Sequence, residues 1–252
     1  MKSYHPTYQK IYQNCNSKFL LLCDHATNFI PKCVSNTRLG LKKSELDRHI
    51  AFDLGAKNTA VELSKFLKAP LIASNFSRLV IDPNRSKNDP TSIMQIYDGT
   101  IIPGNCNLSQ NEIKFRREKF YNPYHRAISD FIQSKRKKNL ITYLVSIHSF
   151  TPQINQQPFR PWHVGVLWDQ DTRMSDIIIN ELIKHKEICI GKNKPYSGNL
   201  KGDTLSQHGT LTNLPHVLIE IRNDLISDTP GQKRWAHILG QSLDKCIKKI
   251  KE

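Results

Sequence analysis

Three apolar runs in this sequence end in, or carry, residues able to do chemistry. His25 comes just after Phe19-Leu20-Leu21-Leu22-Cys23, and His148 follows Leu144-Val145-Ser146-Ile147. Glu220 lies inside Val217-Leu218-Ile219-Glu220-Ile221. Short apolar runs bounded by polar residues fit strands buried on both faces. Ligands of open α/β sheets gather at the carboxyl ends of the strands, so these side chains are expected near one sheet end. Zinc takes imidazole nitrogen and carboxylate oxygen, and a catalytic zinc keeps a position open for water. Two histidines and a carboxylate delivered this way make a metal site. Each has an ordinary reading when taken alone. A strand-end histidine is usually hydrogen-bonded in a loop, and Glu220 could pair with Arg222, although neighbours in a strand point to opposite faces. Their combination carries the expectation.

A third ligand is sought among the acidic residues after the first strand. Asp47 is the choice, because a carboxylate in a helix's first turn is favoured by the dipole; Glu45 and Asp53 are rivals. His49 lies two residues on and cannot face the same way on a helix. The segment Ser77-Arg78-Leu79-Val80-Ile81-Asp82-Pro83-Asn84-Arg85 sets two arginines around an apolar triplet and a turn-forming Asp-Pro-Asn. Guanidinium forks bind carboxylates bidentately, so Arg85 is expected to hold a substrate carboxylate. Arg78 could do the same or pair with Asp82 or Asp89. Tyr196 and His208, in a loop interrupted by Gly and Pro, could close over a substrate or simply pack.

The elements that must position these groups alternate. Residues 19–23, 70–73, 79–81, 140–147, 163–168 and 217–221 read as strands. Ser44–Lys68 reads as a helix, with Ile50, Leu54 and Val61 near one face. Ser109 to Glu112 is a capping box opening a long helix that Pro123 should kink or break. Another helix is expected over Ser175–His185, and a last one with Thr229 as N-cap and Pro230 at N1. This alternation implies a single α/β domain over residues 1–252, with its core at about 18–250 and a mixed, mostly parallel sheet flanked by helices.

Composition narrows the function classes. At 252 residues, with 38% hydrophobic and 23% charged residues, the chain is an ordinary globular one. No run approaches the roughly 20 apolar residues of a membrane helix, and the stretch MKSYHPTYQKIYQNCN lacks the apolar core of a signal peptide; the cytoplasm is the expected compartment. Six cysteines, Cys15, Cys23, Cys33, Cys106, Cys189 and Cys246, follow no disulfide or zinc-ribbon spacing and read as reduced thiols. Thirty-seven Lys and Arg against 22 Asp and Glu give a net charge of +15. Yet the Lys135-Arg136-Lys137-Lys138 run and Lys248, Lys249 and Lys251 sit at expected helix ends, where cations complement the dipole. No aromatic residues alternate with them as a single-strand binding surface requires. A basic surface attracting small anionic substrates is favoured over nucleic acid.

Several of these segments together resemble the N-formylglutamate amidohydrolase family: Cys23-Asp24-His25-Ala26-Thr27-Asn28, Leu39-Gly40-Leu41, Asp47-x-His49-Ile50-Ala51-x-Asp53-x-Gly55-Ala56, SRLVIDPNR, SIHSFTP, RPWHVGVLW, NKPYSG and IEIRNDLI. They occur in order from about residue 18 to the final helix. That family is similar to zinc carboxypeptidases, aspartoacylase-type deacylases and cell-wall amidases, which implies a zinc-carboxypeptidase/phosphorylase-like core. The resemblance implies Zn2+ held by His25, His148 and, by a looser match, Asp47. It implies Asn84 and Arg85 on a substrate carboxylate, with Arg78 and Arg222 as possible further clamps, and Glu220 as general acid/base. Asn28 stands where a His-x-x-Glu motif would place a second ligand, and Asp-His-Ala-Thr-Asn departs from the Pro-His-Ser-Gly form of the histidine-degradation branch. The expected activity is hydrolysis of an N-acyl amino acid, foremost N-formylglutamate to glutamate and formate. The alternatives are other N-acyl amino acids, cell-wall peptides, or a basic nucleic-acid-binding protein on an inactive hydrolase fold.

Overall fold

Apolar strands with no polar face must be covered on both sides, and the computed structural model shows how. It describes residues 6–12 and 16–250; Cys15, Lys251 and residues 1–5 and 13–15 of the N-terminal stretch read above lie outside the described residues. Seven strands form one sheet: β1 (Tyr8–Ile11), β2 (Phe19–Cys23), β3 (Leu71–Ser74), β6 (Tyr143–Phe150), β7 (Val164–Leu167), β8 (Ile190–Lys192) and β9 (His216–Arg222). A separate two-stranded hairpin is made by β4 (Ile96–Tyr97) and β5 (Thr100–Ile101). The order is β1-β3-β2-β6-β9-β7-β8. Pairs β2/β3, β2/β6, β6/β9 and β7/β8 are parallel, whereas β1/β3 and β7/β9 are antiparallel. The mixed, mostly parallel sheet is as the alternation implied.

Side-chain alternation along the strands assigns the two faces. Leu21, Cys23, Val145, Ile147, Val217, Ile219 and Ile221 face one core, shared with Ala60 and Leu63 of α2 (Ala56–Leu67), Ile178 of α5 (Ser175–Leu182), and Trp235 and Leu239 of α7 (Thr229–Lys249). Leu20, Leu22, Leu144 and Leu218 face the other core with Tyr124, Ile128 and Ile132 of α4 (Asn122–Arg136). Ser146, His148 and Glu220 share the periodicity of this second face.

Four local expectations need correction. The helix over 44–68 is two helices, α1 (Lys43–Leu46) and α2, separated by turns. Gly55 caps α2 at φ 78°, and a Cβ there would fall 2.2 Å from the Ile226 carbonyl oxygen. That close approach, in a left-handed conformation suited to glycine, stops the helix from running through. Leu79-Val80-Ile81 is not a strand; it is a buried loop whose Val80 carbonyl accepts from Arg116 and whose Leu79 carbonyl accepts from Asn105. Pro123 does not break its helix, and the irregularity expected there takes the form of a π turn just before it. α3 (Gln110–Arg116) runs through a π turn over Arg117–Tyr121 directly into α4. A proline there lacks an N–H and crowds the carbonyl four residues back; that Lys119 carbonyl accepts from Thr7 Oγ1 at 3.1 Å. Finally, Asp228 rather than Thr229 is the N-cap of α7, accepting from Gly231 N at 2.8 Å. The capping box at Ser109 and the basic last turns of α4 and α7 are as expected. Among the described residues the cysteines are free, with Cys23 and Cys246 buried, and no helix is long and apolar enough to cross a membrane.

Candidate active site

Parallel pairing brings the sheet-end residues together. His148 of β6 is in register with Glu220 of β9, and β2 lies on the other side of β6, delivering Asp24 and His25 just past its end. The break between α1 and α2 supplies the rest. Asp53 N donates to the His25 carbonyl at 3.0 Å, which turns the Asp53 carboxylate toward both imidazoles. Asp53 Oδ2 lies 2.8 Å from His148 Nδ1 and 3.3 Å from His25 Nδ1, with Ser149 N at 3.3 Å. His25, Asp53 and His148 are buried, and one donor atom of each falls within 4.8 Å of the others.

Each imidazole is fixed from behind. His25 Nε2 lies 2.7 Å from Asp82 Oδ1, and His148 Nε2 lies 3.1 Å from Asp24 Oδ2. Ionised carboxylates only accept, so both Nε2 atoms carry protons, and His148 Nδ1, 2.8 Å from Asp53 Oδ2, carries one too in the metal-free protein, a proton whose place a metal would take. Asp24 is held in turn by Ser146 Oγ, Thr204 Oγ1 and Tyr124 Oη at 2.7–2.9 Å. Carboxylates behind ligating histidines fix tautomer and raise basicity. Burial opposes the charge on Asp24, yet the bond and charge of His148 outweigh it and hold the carboxyl below its ordinary range. Asp53 is held low against burial by His25 and His148, and Asp82 by Arg78 and His25. Burial pulls the two imidazoles down, but for His148 the bonds to Asp24 and Asp53 win, and for His25 the charges of Asp82 and Asp53 overcome burial and Arg78. Both are raised: the site favours a positive charge between Nδ1 atoms.

Asp47 is not part of this group. It is the C-cap of α1, exposed, and bonded to Lys43 Nζ at 2.6 Å and Asn28 Nδ2 at 3.1 Å. The expectation of one helix over 44–68 put the wrong carboxylate in reach; the turns after α1 place its rival Asp53 there instead. Glu45 is the N3 residue of the α1 capping box.

The remaining predicted residues divide. A cavity of about 290 Å³ opens onto His25, Asp53 and His148, and Glu220, Arg78, Asn84, Arg85 and Tyr196 also line it. Glu220 Oε2 is buried with no hydrogen-bond partner among the described residues. Burial pushes its carboxyl up to about 7, against the opposing charge of His148. It does not pair with Arg222, which bonds Asp224 at 2.8 Å and the Pro161 carbonyl away from the cavity. Arg78 makes the structural pair with Asp82 at 2.7 Å, and its Nη1 also lies 3.2 Å from His25 Nδ1. Arg85 has no ion pair among the described residues; its Nη1 reaches only the Asn84 carbonyl at 3.4 Å. Asn84 Oδ1 accepts from Thr204 N at 3.1 Å, which leaves its amide donors for the cavity. His208 is outside the cavity, in α6 (Thr204–His208), bonded to His125 Nδ1 at 2.8 Å; His125 Nε2 donates to the Pro83 carbonyl at 3.0 Å. It therefore supports the loop that carries Asn84 and Arg85. Asp24, Asp82 and Asp203 lack a sequence signal separating them from ordinary turn or cap residues.

The sequence profile of N-formylglutamate amidohydrolase matches residues 17–227. This chain belongs to that family. Among solved structures, the gene product Atu2144 from Agrobacterium tumefaciens superposes with a TM-score of 0.93 at 32% identity, covering 98% of this chain and 97% of that one. The N-formylglutamate amidohydrolase from Ralstonia eutropha JMP134 superposes at 0.71 with 19% identity, covering 96% and 97%. No curated protein matches the sequence. Membership makes the chain an amidohydrolase, and the His25–Asp53–His148 group lines its cavity of about 290 Å³. The donor set fits a zinc-type metal, two imidazoles with outer carboxylates plus one carboxylate.

Proposed function

We propose that the chain hydrolyses the amide of an N-acyl amino acid with a zinc-type metal held by His25, Asp53 and His148. What supports this is the pair of Nδ1 atoms converging on Asp53 while buried carboxylates hold both Nε2 atoms, beside a buried Glu220 Oε2 with no hydrogen-bond partner among the described residues. A metal in such a donor set supplies Lewis-acid polarisation of a carbonyl and makes water a nucleophile near neutral pH.

The protein's own groups do the rest. Glu220, poised near neutrality by burial, takes the proton of the attacking water and returns it to the leaving nitrogen as the carbon–nitrogen bond breaks. Arg78, fixed by Asp82 next to His25, faces the negative charge that develops on the carbonyl oxygen. Arg85 and Asn84 hold the substrate's α-carboxylate, so the scissile amide is presented to Glu220 and the histidines. N-formylglutamate, giving glutamate and formate, is the first substrate to assay because the family carries its name.

Glu220→Gln tests the assignment. It keeps shape but cannot accept a proton, so turnover falls by about 10²–10⁴-fold while metal content and folding are unchanged. A fully active but thermally weakened variant would make Glu220 structural, and loss of metal would make it a ligand.

A further inference from the structure

Arg160 and Tyr196 have no part in the reaction as drawn, yet they meet at the edge of its cavity. Phe150, Thr151 and Tyr196 all line that space, and the half-buried Arg160 packs against the three of them. Its guanidinium lies 5.1 Å from the centroid of the Tyr196 ring and 6.0 Å from that of Phe150. Its Nη1 donates to the Tyr196 hydroxyl at 3.1 Å and to the Thr151 carbonyl at 3.4 Å. The Arg160 backbone N–H donates to the Pro152 carbonyl at 2.8 Å, which ties the residue to the chain just after β6. Its charge is felt along the wall. His49, another lining residue, is held below its ordinary value by burial, against Asp98 and with the charges of Arg48, Arg78 and Arg160.

The guanidiniums around the site differ in what they already hold. Arg78 is engaged by Asp82 at 2.7 Å and stands 3.5 Å from Asp53. Arg222 is bound to Asp224. Arg85 and Arg160 have no acidic partner among the described residues, and different groups hold them: the Asn84 carbonyl for one, Tyr196 and Thr151 for the other. Nε and Nη2 of Arg160 have no hydrogen-bond partner among the described residues. They form the edge of the fork that can grip a carboxylate through two parallel bonds. Tyr196 accepts from Arg160 and keeps its own hydroxyl proton to donate. A guanidinium already stacked on aromatic rings is pre-organised, so less freedom is lost when a carboxylate pairs with it.

Resting on the hydrolytic reading above, we propose that Arg160 is a specificity-determining residue: with the Tyr196 hydroxyl it receives a carboxylate at the end of the substrate's side chain, while Arg85 and Asn84 hold the α-carboxylate. The site thereby selects an acidic N-acyl amino acid over its amide. A side-chain amide brings no charge to the fork, and it sets an NH2 group against a guanidinium that can only donate. The second clamp is thus Arg160 and not Arg222.

Arg160→Gln and Arg160→Lys test this on the metal-loaded protein. Glutamine removes both fork and charge, whereas lysine, the milder change, keeps the charge without the fork. Two readouts are taken: kcat/KM for N-formyl-L-glutamate and N-formyl-L-glutamine, and calorimetric binding of free L-glutamate and L-glutamine. Wild type is expected to favour glutamate in both. Arg160→Gln should weaken glutamate about 10- to 100-fold, the size of a hydrogen bond to a charged group, and change glutamine far less. Arg160→Lys should retain part of the glutamate preference. Glutamate-selective binding that disappears in Arg160→Gln, without any hydrolysis, supports Arg160 while removing the proposed reaction. Hydrolysis with no glutamate preference in wild type, or with a preference that Arg160→Gln retains, overturns the proposal and leaves the reaction standing. Equal losses on both substrates in both variants would make Arg160 a packing residue and overturn it as well. Neither hydrolysis nor binding of either amino acid would overturn both.

Discussion

Two buried histidine pairs lie on the same side of the sheet and behave in opposite ways. His25 and His148 meet edge to face with ring centroids 4.9 Å apart; His125 and His208 stack at 5.1 Å. Residue type, spacing and burial are nearly the same. The difference is in what touches the rings. Each imidazole of the first pair has carboxylates at both nitrogens, and both are raised. The second pair bonds internally and to the Pro83 carbonyl; at His125 burial outweighs the charge of Asp24 and the Pro83 bond and pushes the ring down to about 4, and at His208 burial, joined by the charge of His125, outweighs Asp24 and pushes it to about 3. One pair is a place for a cation, and the other is a neutral strut. Burial alone therefore does not mark a functional histidine; the charge of the groups behind it does.

Alanine at one member of each pair gives the largest expected contrast. His148→Ala should lose metal and activity together and remain folded, since Asp24 keeps three hydroxyl donors and Asp53 keeps His25. His208→Ala should keep its metal while losing about 1–3 kcal/mol of stability, because His125 Nδ1 is left buried without a donor. Metal analysis and denaturant melts on the two variants check this. If both variants lose metal equally, the pairs are not distinct.

Acid sharpens the comparison further. A histidine whose folded pKa lies below its unfolded value of about 6.5 is stabilising above that value. The unfolded chain takes up protons first as pH falls, so stability declines from about 6.5 towards the folded values near 4 and 3. At about 1.4 kcal/mol for each unit, His125 alone contributes on the order of 3 kcal/mol. His25 and His148 have the opposite sign. Their raised values stabilise the metal-free protein fully below about 6.5, and this is lost as pH rises through the folded values. In melts of metal-free protein across pH, wild type should therefore lose stability relative to a double substitution of His125 and His208 by glutamine as pH falls below about 6.5, while the raised carboxyls of Glu220 and Asp203 act with the opposite slope in both proteins alike. The smallest effect belongs to Asp47→Asn. Exposed, and paired among the described residues only with Lys43 and Asn28, it should change stability by less than about 0.5 kcal/mol and leave metal content intact, which metal analysis would contradict if Asp47 were a ligand.

What was legible in the sequence followed from chain patterns that survive burial. The runs before His25 and His148 and around Glu220 are apolar on both faces because their strands are central, so the expectation that these three residues meet at one sheet end matches the structure. The choice of Asp47 failed for a definite reason. Hydrophobic spacing continues across residues 44–68, while the interruption is caused by a contact between Gly55 and Ile226, far apart in sequence. Leu79-Val80-Ile81 misled similarly: its apolar content is that of a strand, but its carbonyls are satisfied by Arg116 and Asn105 side chains. Arg222 and His208 carry suitable chemistry and point elsewhere, which spacing does not reveal. Asp203 looks like an ordinary helix cap, and is one, although it also lines the cavity.

The central claim is that His25, Asp53 and His148 hold the metal on which hydrolysis depends. The most direct measurement follows N-formyl amino acid hydrolysis against bound metal, as a chelator removes it and zinc restores it. Activity should track metal in proportion, reach its full value near one equivalent per chain, and return with zinc to wild type but not to His148→Ala. Hydrolysis that persists undiminished in thoroughly metal-depleted protein would contradict the account.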